Sequence, residues 1–405
     1  MAKINPFNPN SVVVPNLFAG RYEQVRSICT KLERLKDGLS ASFFVFGERG
    51  IGKTALAKLV LYLARVKDPE LHNLDLLTSY YSVEKGQSIS NVLQESLNKL
   101  TEGIEKNLLE KIGERVGSLI KNGKFQIGAF GVGMEVVPGS TEKDIFTIKD
   151  QSVSILSNIV RSICSPETEN HKDGILIILD EVHNIDDIHS LASILRNIVT
   201  TLDVDGLGKV SFLLIGYEED EERFFVEDSS AKRAFDPIRL DVMPPDEATE
   251  VLKKGYDSIS IKYDETLIKT NIESAGGYPH AIQILGHNSI ETDKDQNIDQ
   301  KDWDDAIFNT AFELRSKDFS KMYTFGKAPR IRDRILAVLA EEDRPLSRKE
   351  LDSKIESSIY QHIKLLKKCG AIKETPEKKL TLNSQLFRTA IRIDQILKAR
   401  KLTSK

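Results

Sequence analysis

Residues 47 to 54 read Gly47-Glu48-Arg49-Gly50-Ile51-Gly52-Lys53-Thr54, which fits the pattern G-x-x-x-x-G-K-[ST] at every fixed position. The run before it, Ser42-Phe43-Phe44-Val45-Phe46, has the length and the aromatic, β-branched content of a strand, and Ala55 to Ala64 after it carries apolar residues at helical spacing. Strand, glycine loop and helix thus follow in the order the pattern requires, which constrains the chain to an α/β core. Glycines at 47, 50 and 52 let the backbone curl until successive N–H groups point at one spot, and the positive end of the next helix adds to it. The loop is an anion cradle. Lys53 would reach the β- and γ-phosphates of a nucleoside triphosphate, and the Thr54 hydroxyl would hold Mg²⁺. The expected binding set runs from Gly47, Glu48, Arg49, Gly50, Ile51, Gly52, Lys53 and Thr54 to Ala55.

A second segment supports the first. Gly174-Ile175-Leu176-Ile177-Ile178-Leu179-Asp180-Glu181 is a wholly apolar run ending in two carboxylates, as expected of a buried parallel strand delivering acids to its C-terminal edge. This is the Walker B pattern. Asp180 would position the metal, and Glu181 would polarise the water that attacks the γ-phosphate. The tetrapeptide Asp180-Glu181-Val182-His183 also spells a helicase signature, but other helicase motifs are not apparent and His183 reads as a loop residue.

The 405 residues exceed one core, and two or three domains are expected. No apolar run approaches the 18 or more residues of a membrane span, and the polar, turn-rich start from Met1 to Asn10 does not read as a signal peptide. Cys29, Cys164 and Cys369 are scattered without metal spacing, which suits a reducing cytoplasm. Net charge is −4, but it is uneven: from Arg330 to Lys405 there are 19 Lys and Arg against 10 Asp and Glu, a net +9. The first 329 residues therefore carry −13. A basic module follows an acidic body, a charge footprint suited to nucleic acid.

Within that module a first helix is expected over Arg332 to Glu341, a second from a serine cap over Ser347 to Ile355, and a third over Ser357 to Cys369 ending at Gly370. Two short strands follow, Ala371 to Glu374 and Lys379 to Leu382, around a turn at Thr375-Pro376-Glu377-Lys378. This order resembles a winged helix-turn-helix. On double-stranded DNA the third helix would offer Ser358, Gln361, His362 and Lys364 to bases, while Lys367, Lys368, Lys378 and Lys379 would meet phosphates. Packing on a protein is the alternative use of the same module.

Between the two lie a buried strand, Val210-Ser211-Phe212-Leu213-Leu214-Ile215-Gly216, after a helix over Ile188 to Thr200, and then a helical stretch from Pro245 to about Tyr323. Amphipathic segments fall at Asp246 to Tyr256, Glu265 to Ser274 and Asp302 to Arg315, with Gly276-Gly277-Tyr278-Pro279 among them. With both Walker motifs and the basic tail, this order resembles the STAND-like, archaeal-type branch of the AAA+ P-loop ATPases, related to origin-recognition proteins of the Orc/Cdc6 type. The resemblance implies a parallel-sheet core, a helical lid and a C-terminal winged helix, with adenine as the base. It makes Arg233, in Ala231-Lys232-Arg233-Ala234-Phe235, the arginine-finger candidate, with Arg223 in reserve. It also makes Gly277-Tyr278-Pro279 the lid motif packed near adenine, and lays Phe18 to Arg21 on the same side.

Two departures matter. The strand tip Gly216-Tyr217-Glu218-Glu219 lacks the Asn, Ser or Thr with which such proteins sense the γ-phosphate, and Pro279 stands near where they usually carry a second sensor arginine. Both favour a slow switch over a fast motor. The expected division is 1–244 for the ATPase core, 245–323 for the lid and 324–405 for the winged helix, with an insertion over about 98–143. That insertion reads as a helical run and a β-hairpin at 124–138, a surface for a protein partner or a homo-oligomer. The function expected is therefore an ATP- and Mg²⁺-dependent ATPase, associated with DNA or, alternatively, a signalling or defence switch that binds proteins.

Overall fold

The computed structural model describes residues 4–13, 17–68, 72–106, 142–168, 170–226, 231–272, 275–319, 329–342, 344–355, 359–383 and 385–403. These fall into two compact units. One comprises Arg21–Arg49 and Lys53–Leu240; the other comprises Met1–Gly20, Gly50–Gly52 and Asp241–Lys405.

The first unit is built on five parallel strands: β1 Ser42–Phe46, β2 Leu76–Ser82, β3 Gly174–Asp180, β4 Val210–Gly216 and β5 Phe235–Arg239. Their spatial order is β2-β3-β4-β1-β5. Every residue of β3 and β4 is buried, which is why both read as unbroken apolar runs rather than alternating ones. The helices are α1 Tyr22–Glu33, α2 Lys53–Leu63, α3 Ile89–Thr101, α4 Glu142–Ile163, α5 Ile188–Val204, α6 Glu218–Val226 and the single turn α7 Ala231–Ala234. Leu93, Leu97, Ile155, Ile159, Leu191 and Leu195 from three of them close one continuous core with β3 and β4. With β4 between β1 and β3, three strand ends meet at one edge of the sheet. Gly47, Asp180 and Tyr217 lie at or just beyond those ends.

The second unit is helical: α8 Pro245–Ser258, α9 Glu265–Ile272, α10 Pro279–Thr292 and α11 Gln300–Glu313, followed by a one-turn π-helix, Leu314–Asp318. Proline opens α8 and α10, where its missing N–H costs nothing, and a reciprocal Asp299/Asp302 capping box opens α11. Residues 1–20 group here rather than with the sheet, and Phe7 is the reason. Its ring is buried edge-on to Tyr256 at 5.6 Å, over Gly255 and Gly286, where added Cβ atoms would stand 2.1 and 2.9 Å from it. His287 Nδ1 lies 3.0 Å from the Phe7 carbonyl, and Asn5 Nδ2 donates to the His287 carbonyl at 3.2 Å. The polar composition of this segment hides Phe7 as an anchor.

The C-terminal module belongs to the same unit: α12 Pro329–Glu341, α13 Arg348–Ile355, α14 Tyr360–Lys368, an antiparallel hairpin of β6 Ile372–Glu374 and β7 Leu380–Leu382, and α15 Gln385–Thr403. Three helices and a hairpin follow one another as the sequence predicts. Ser347 and Glu350 form a capping box at the start of α13, and Gly370, at φ 74°, ends α14. Buried Arg388 on α15 donates to the carbonyls of Leu339, Ala340 and Glu342, satisfying the orphan end of α12. Phe387 packs on Phe319 with ring centres 4.9 Å apart. The hairpin expected at 124–138, together with Ser357 and Ser358, lies outside the described residues. No helix among those described is long and apolar enough to cross a membrane.

Candidate functional site: the edge of the parallel sheet

In the sheet unit the charged groups singled out in the sequence converge. Between β1 and α2 the backbone takes positive φ at Gly47, Gly50 and Gly52, at 152°, 78° and 96°, a path that only glycine follows without strain. Lys53, the first residue of α2, folds its ammonium back to donate to the carbonyls of Gly47 and Glu48, each at 2.8 Å. It also lies over the Tyr217 ring, 4.7 Å from its centre. Burial lowers the Lys53 pKa to about 8, against the opposing pull of Asp180, Asp220, Glu48 and Glu181.

Asp180 ends β3 and is 2% exposed. Its Oδ2 accepts from the Thr54 hydroxyl at 2.8 Å and from the Tyr80 hydroxyl at 2.7 Å, while its Oδ1 accepts the Glu181 backbone N–H at 2.8 Å. A buried carboxylate needs such partners. Glu181 has left-handed backbone, φ 59° and ψ 42°, an uncommon state for a non-glycine residue, and its side chain is exposed. It begins the short 3₁₀ turn Val182–Asn184.

Two tyrosines here carry no motif. Tyr217 stands between Lys53 and His183, whose ring centre is 4.4 Å from its own. Its backbone N–H donates to buried Asp220 at 2.7 Å, and burial raises the carboxyl pKa of Asp220. Tyr80 lies on β2 opposite Ile178 of β3; burial first, then its bond to Asp180, keeps its hydroxyl protonated. The one signal available was a paired Tyr80-Tyr81 in a strand-like run, and only register tells which of the two reaches the edge.

Arg233 is exposed on α7, and Arg223 on α6 pairs with Asp220 at 3.5 Å. In the helical unit, fully buried Tyr278 caps α10, Pro279 opens it, and the Gly277 carbonyl accepts from Met243 N–H at 2.7 Å. Within that same unit an added Cβ on Gly50 would stand 3.3 Å from both Tyr278 and His280. Phe18 and Ala19 are buried, the Phe18 carbonyl accepts from Lys254 at 2.6 Å, and Arg21 is left-handed at φ 59°. On α14 the expected base-facing set changes: His362 is half-buried and its Nδ1 accepts from Arg332 on α12, because it lies on the inward side of the helix. The exposed residues are Tyr360, Gln361, Lys364, Leu365, Lys367 and Lys368. Burial lifts the Cys29 and Cys164 thiols to about 11 and 12, which suits packing residues.

No protein-family model matches the chain, and no curated protein matches it. Solved structures do. The Orc2 protein of Aeropyrum pernix, solved in ADPNP–ADP complexes, superposes with a TM-score of 0.54 at 16% identity, covering 99% of each chain. The Walker-type ATPase PABY2304 of Pyrococcus abyssi superposes at 0.52 and 14% identity, covering 93% of this chain and 96% of its own. The chain thus has the fold of archaeal Orc/Cdc6-type AAA+ ATPases, a P-loop α/β core with a five-stranded parallel sheet.

Proposed function

We propose that this chain binds ATP with Mg²⁺ at the sheet edge and hydrolyses it slowly, acting as a nucleotide-dependent switch associated with DNA. The observation that carries the reading is the joint placement of Lys53, Thr54 and Asp180: one half-buried ammonium, one hydroxyl and one buried carboxylate, at the end of a glycine loop. The crystallised complexes of the Aeropyrum Orc2 protein with ADPNP and ADP support a nucleotide in this fold.

The residues fit a magnesium ion. Among the described residues no group of three or more His, Cys, Asp or Glu could cage a metal, and Mg²⁺ in triphosphate sites characteristically takes few protein ligands and several phosphate or water oxygens. Thr54 commits its proton to Asp180 and keeps a lone pair available, so Thr54 and Asp180 would hold the ion. When bound, the ion would neutralise charge on the phosphates. Lys53 would exchange the carbonyls of Gly47 and Glu48 for phosphate oxygens, and Glu181 would orient and deprotonate the attacking water. Tyr217 in place of a hydrogen-bonding sensor supports slow turnover, and Arg233, being exposed, is available as a finger to a second copy. In the same reading residues 245–323 form the lid, with Tyr278 and Pro279 linking its position to the nucleotide, and 324–405 form a winged helix.

DNA association rests on the net +9 of the C-terminal module and on exposed Gln361, Lys364 and Lys368 of α14. A specific observation favours protein as the second reading. Tyr360 and Leu365 share that face and are 54% and 46% exposed, while Lys367 and Lys379 pair with Glu374 and Glu377. ATP hydrolysis measured with and without duplex DNA at low and moderate salt separates the two. Salt-sensitive stimulation is expected for the first reading, and turnover indifferent to DNA rejects it.

A further inference from the structure

Asp180 is held by more partners than a metal-facing carboxylate requires, and the surplus partner is Tyr80. An ionised carboxylate offers about four lone-pair positions. Thr54 and Tyr80 occupy the two on Oδ2, and the Glu181 N–H takes one on Oδ1. One position is left. Without the Tyr80 hydroxyl there would be two, one on each oxygen, and the carboxylate could turn toward either.

The position of Tyr80 is built rather than incidental. Tyr80 lies on β2, which pairs with β3 along its whole length from Leu76–Gly174 to Ser82–Asp180, so the register fixes how far its side chain reaches. The Lys58 ammonium stands 5.9 Å from the ring centre, on the helix that begins with Lys53 and Thr54. Ring and hydroxyl thus bridge the sheet and the helix that carry the two ends of the site.

From this geometry we infer that Tyr80 is a positioning residue for the divalent cation: by filling the second site on Asp180 Oδ2, it leaves the carboxylate one acceptor position, facing a Mg²⁺-bound water. The inference rests on the proposed nucleotide site. Small, rigid Mg²⁺ tolerates misplacement poorly, whereas Ca²⁺ accepts irregular geometry. Tyr80 therefore acts on metal choice as well as on affinity.

The test compares wild type with Tyr80→Phe, which keeps the ring and removes the hydroxyl. Affinity for a fluorescent ATP analogue is measured in EDTA, in Mg²⁺ and in Ca²⁺. A hydrogen bond to a charged group corresponds to roughly a tenfold effect or more. The expected result is a loss of about tenfold in Mg²⁺-supported binding, a smaller loss in Ca²⁺ and no change in EDTA. An equal loss in all three conditions would make Tyr80 a packing residue, and no loss in Mg²⁺ would overturn the inference as well. Absence of Mg²⁺-dependent binding in the wild type would instead reject the nucleotide site itself. Tyr80→Trp, which keeps an aromatic ring but displaces its donor, should lose Mg²⁺ preference like Tyr80→Phe and serves if the phenylalanine variant does not fold.

Discussion

The sheet edge and the C-terminal module are both rich in charge and use it in opposite ways. At the sheet edge, buried Asp180 accepts three short hydrogen bonds and half-buried Lys53 donates two. In the module, Lys367 and Lys379 form solvated pairs with Glu374 and Glu377, and the helix face between them mixes lysines with Tyr360 and Leu365. Buried, hydrogen-bonded charge keeps one geometry and responds strongly when a partner is removed, whereas exposed pairs contribute little and rearrange readily. The difference teaches that net charge alone is a poor guide to a binding surface, since part of the +9 is used internally.

The sharpest way to break that contrast is at Lys53. Lys53→Ala removes a cation held by two backbone carbonyls and an aromatic face among neighbouring carboxylates, and ATP affinity should fall by about a hundredfold or more, read by equilibrium titration. Glu181→Gln keeps size and hydrogen bonding but cannot take a proton. Turnover should drop by roughly 10² to 10⁴ with ATP binding retained, measured as steady-state hydrolysis against titration. If binding fell in step with turnover, Glu181 would be part of the structural network rather than the exposed base.

Phe7→Ala addresses the helical unit. Emptying the slot over Gly255 and Gly286 should cost about 3–5 kcal/mol in chemical denaturation, a core-like penalty from a segment that looks like a tail. In the module, the lysines divide into paired and solvent-facing. Replacing Lys368 and Lys378 with Gln should lower the salt dependence of duplex binding by up to about two in log–log slope. The same change at Lys367 and Lys379 should lower it less, because each already has a carboxylate partner. Equal effects would remove the distinction.

The smallest effect is expected at the α13 cap. Hydrogen bonds from Ser347, then the Arg344 guanidinium, hold the Glu350 carboxyl down to about 2 from an ordinary 4.5. A depressed carboxyl contributes stability above its unfolded value, lost as pH falls through its folded one. Glu350→Gln should therefore lower the melting temperature at pH 6, and the gap from wild type should close as pH falls from 4.5 towards 2.

Much of the sheet edge was legible because buried parallel strands are written as uninterrupted apolar runs: Ser42–Phe46 and Val210–Gly216 have the bounds read from sequence, and Gly174–Asp180 ends one residue before the run that was read. Lys53, Thr54 and Asp180 came with them, since motif spacing fixes which residues follow those strands. Tyr80 did not, nor did the ring contacts of Tyr217, because they depend on register and on ring packing between segments far apart in sequence. Phe7 was hidden for a related reason: the glycines that admit it, at 255 and 286, lie more than two hundred residues away. His362 was misplaced by one helical face, since its partner Arg332 lies on another helix.

The central claim is that this sheet edge binds ATP through a pre-arranged Lys53–Thr54–Asp180 cluster. Calorimetric titration of the purified protein with ATP and Mg²⁺, alongside Lys53→Ala, tests it most directly. The account predicts saturable one-to-one binding in the wild type that is abolished by the substitution. Binding that survives Lys53→Ala unchanged, or none in the wild type, would contradict it.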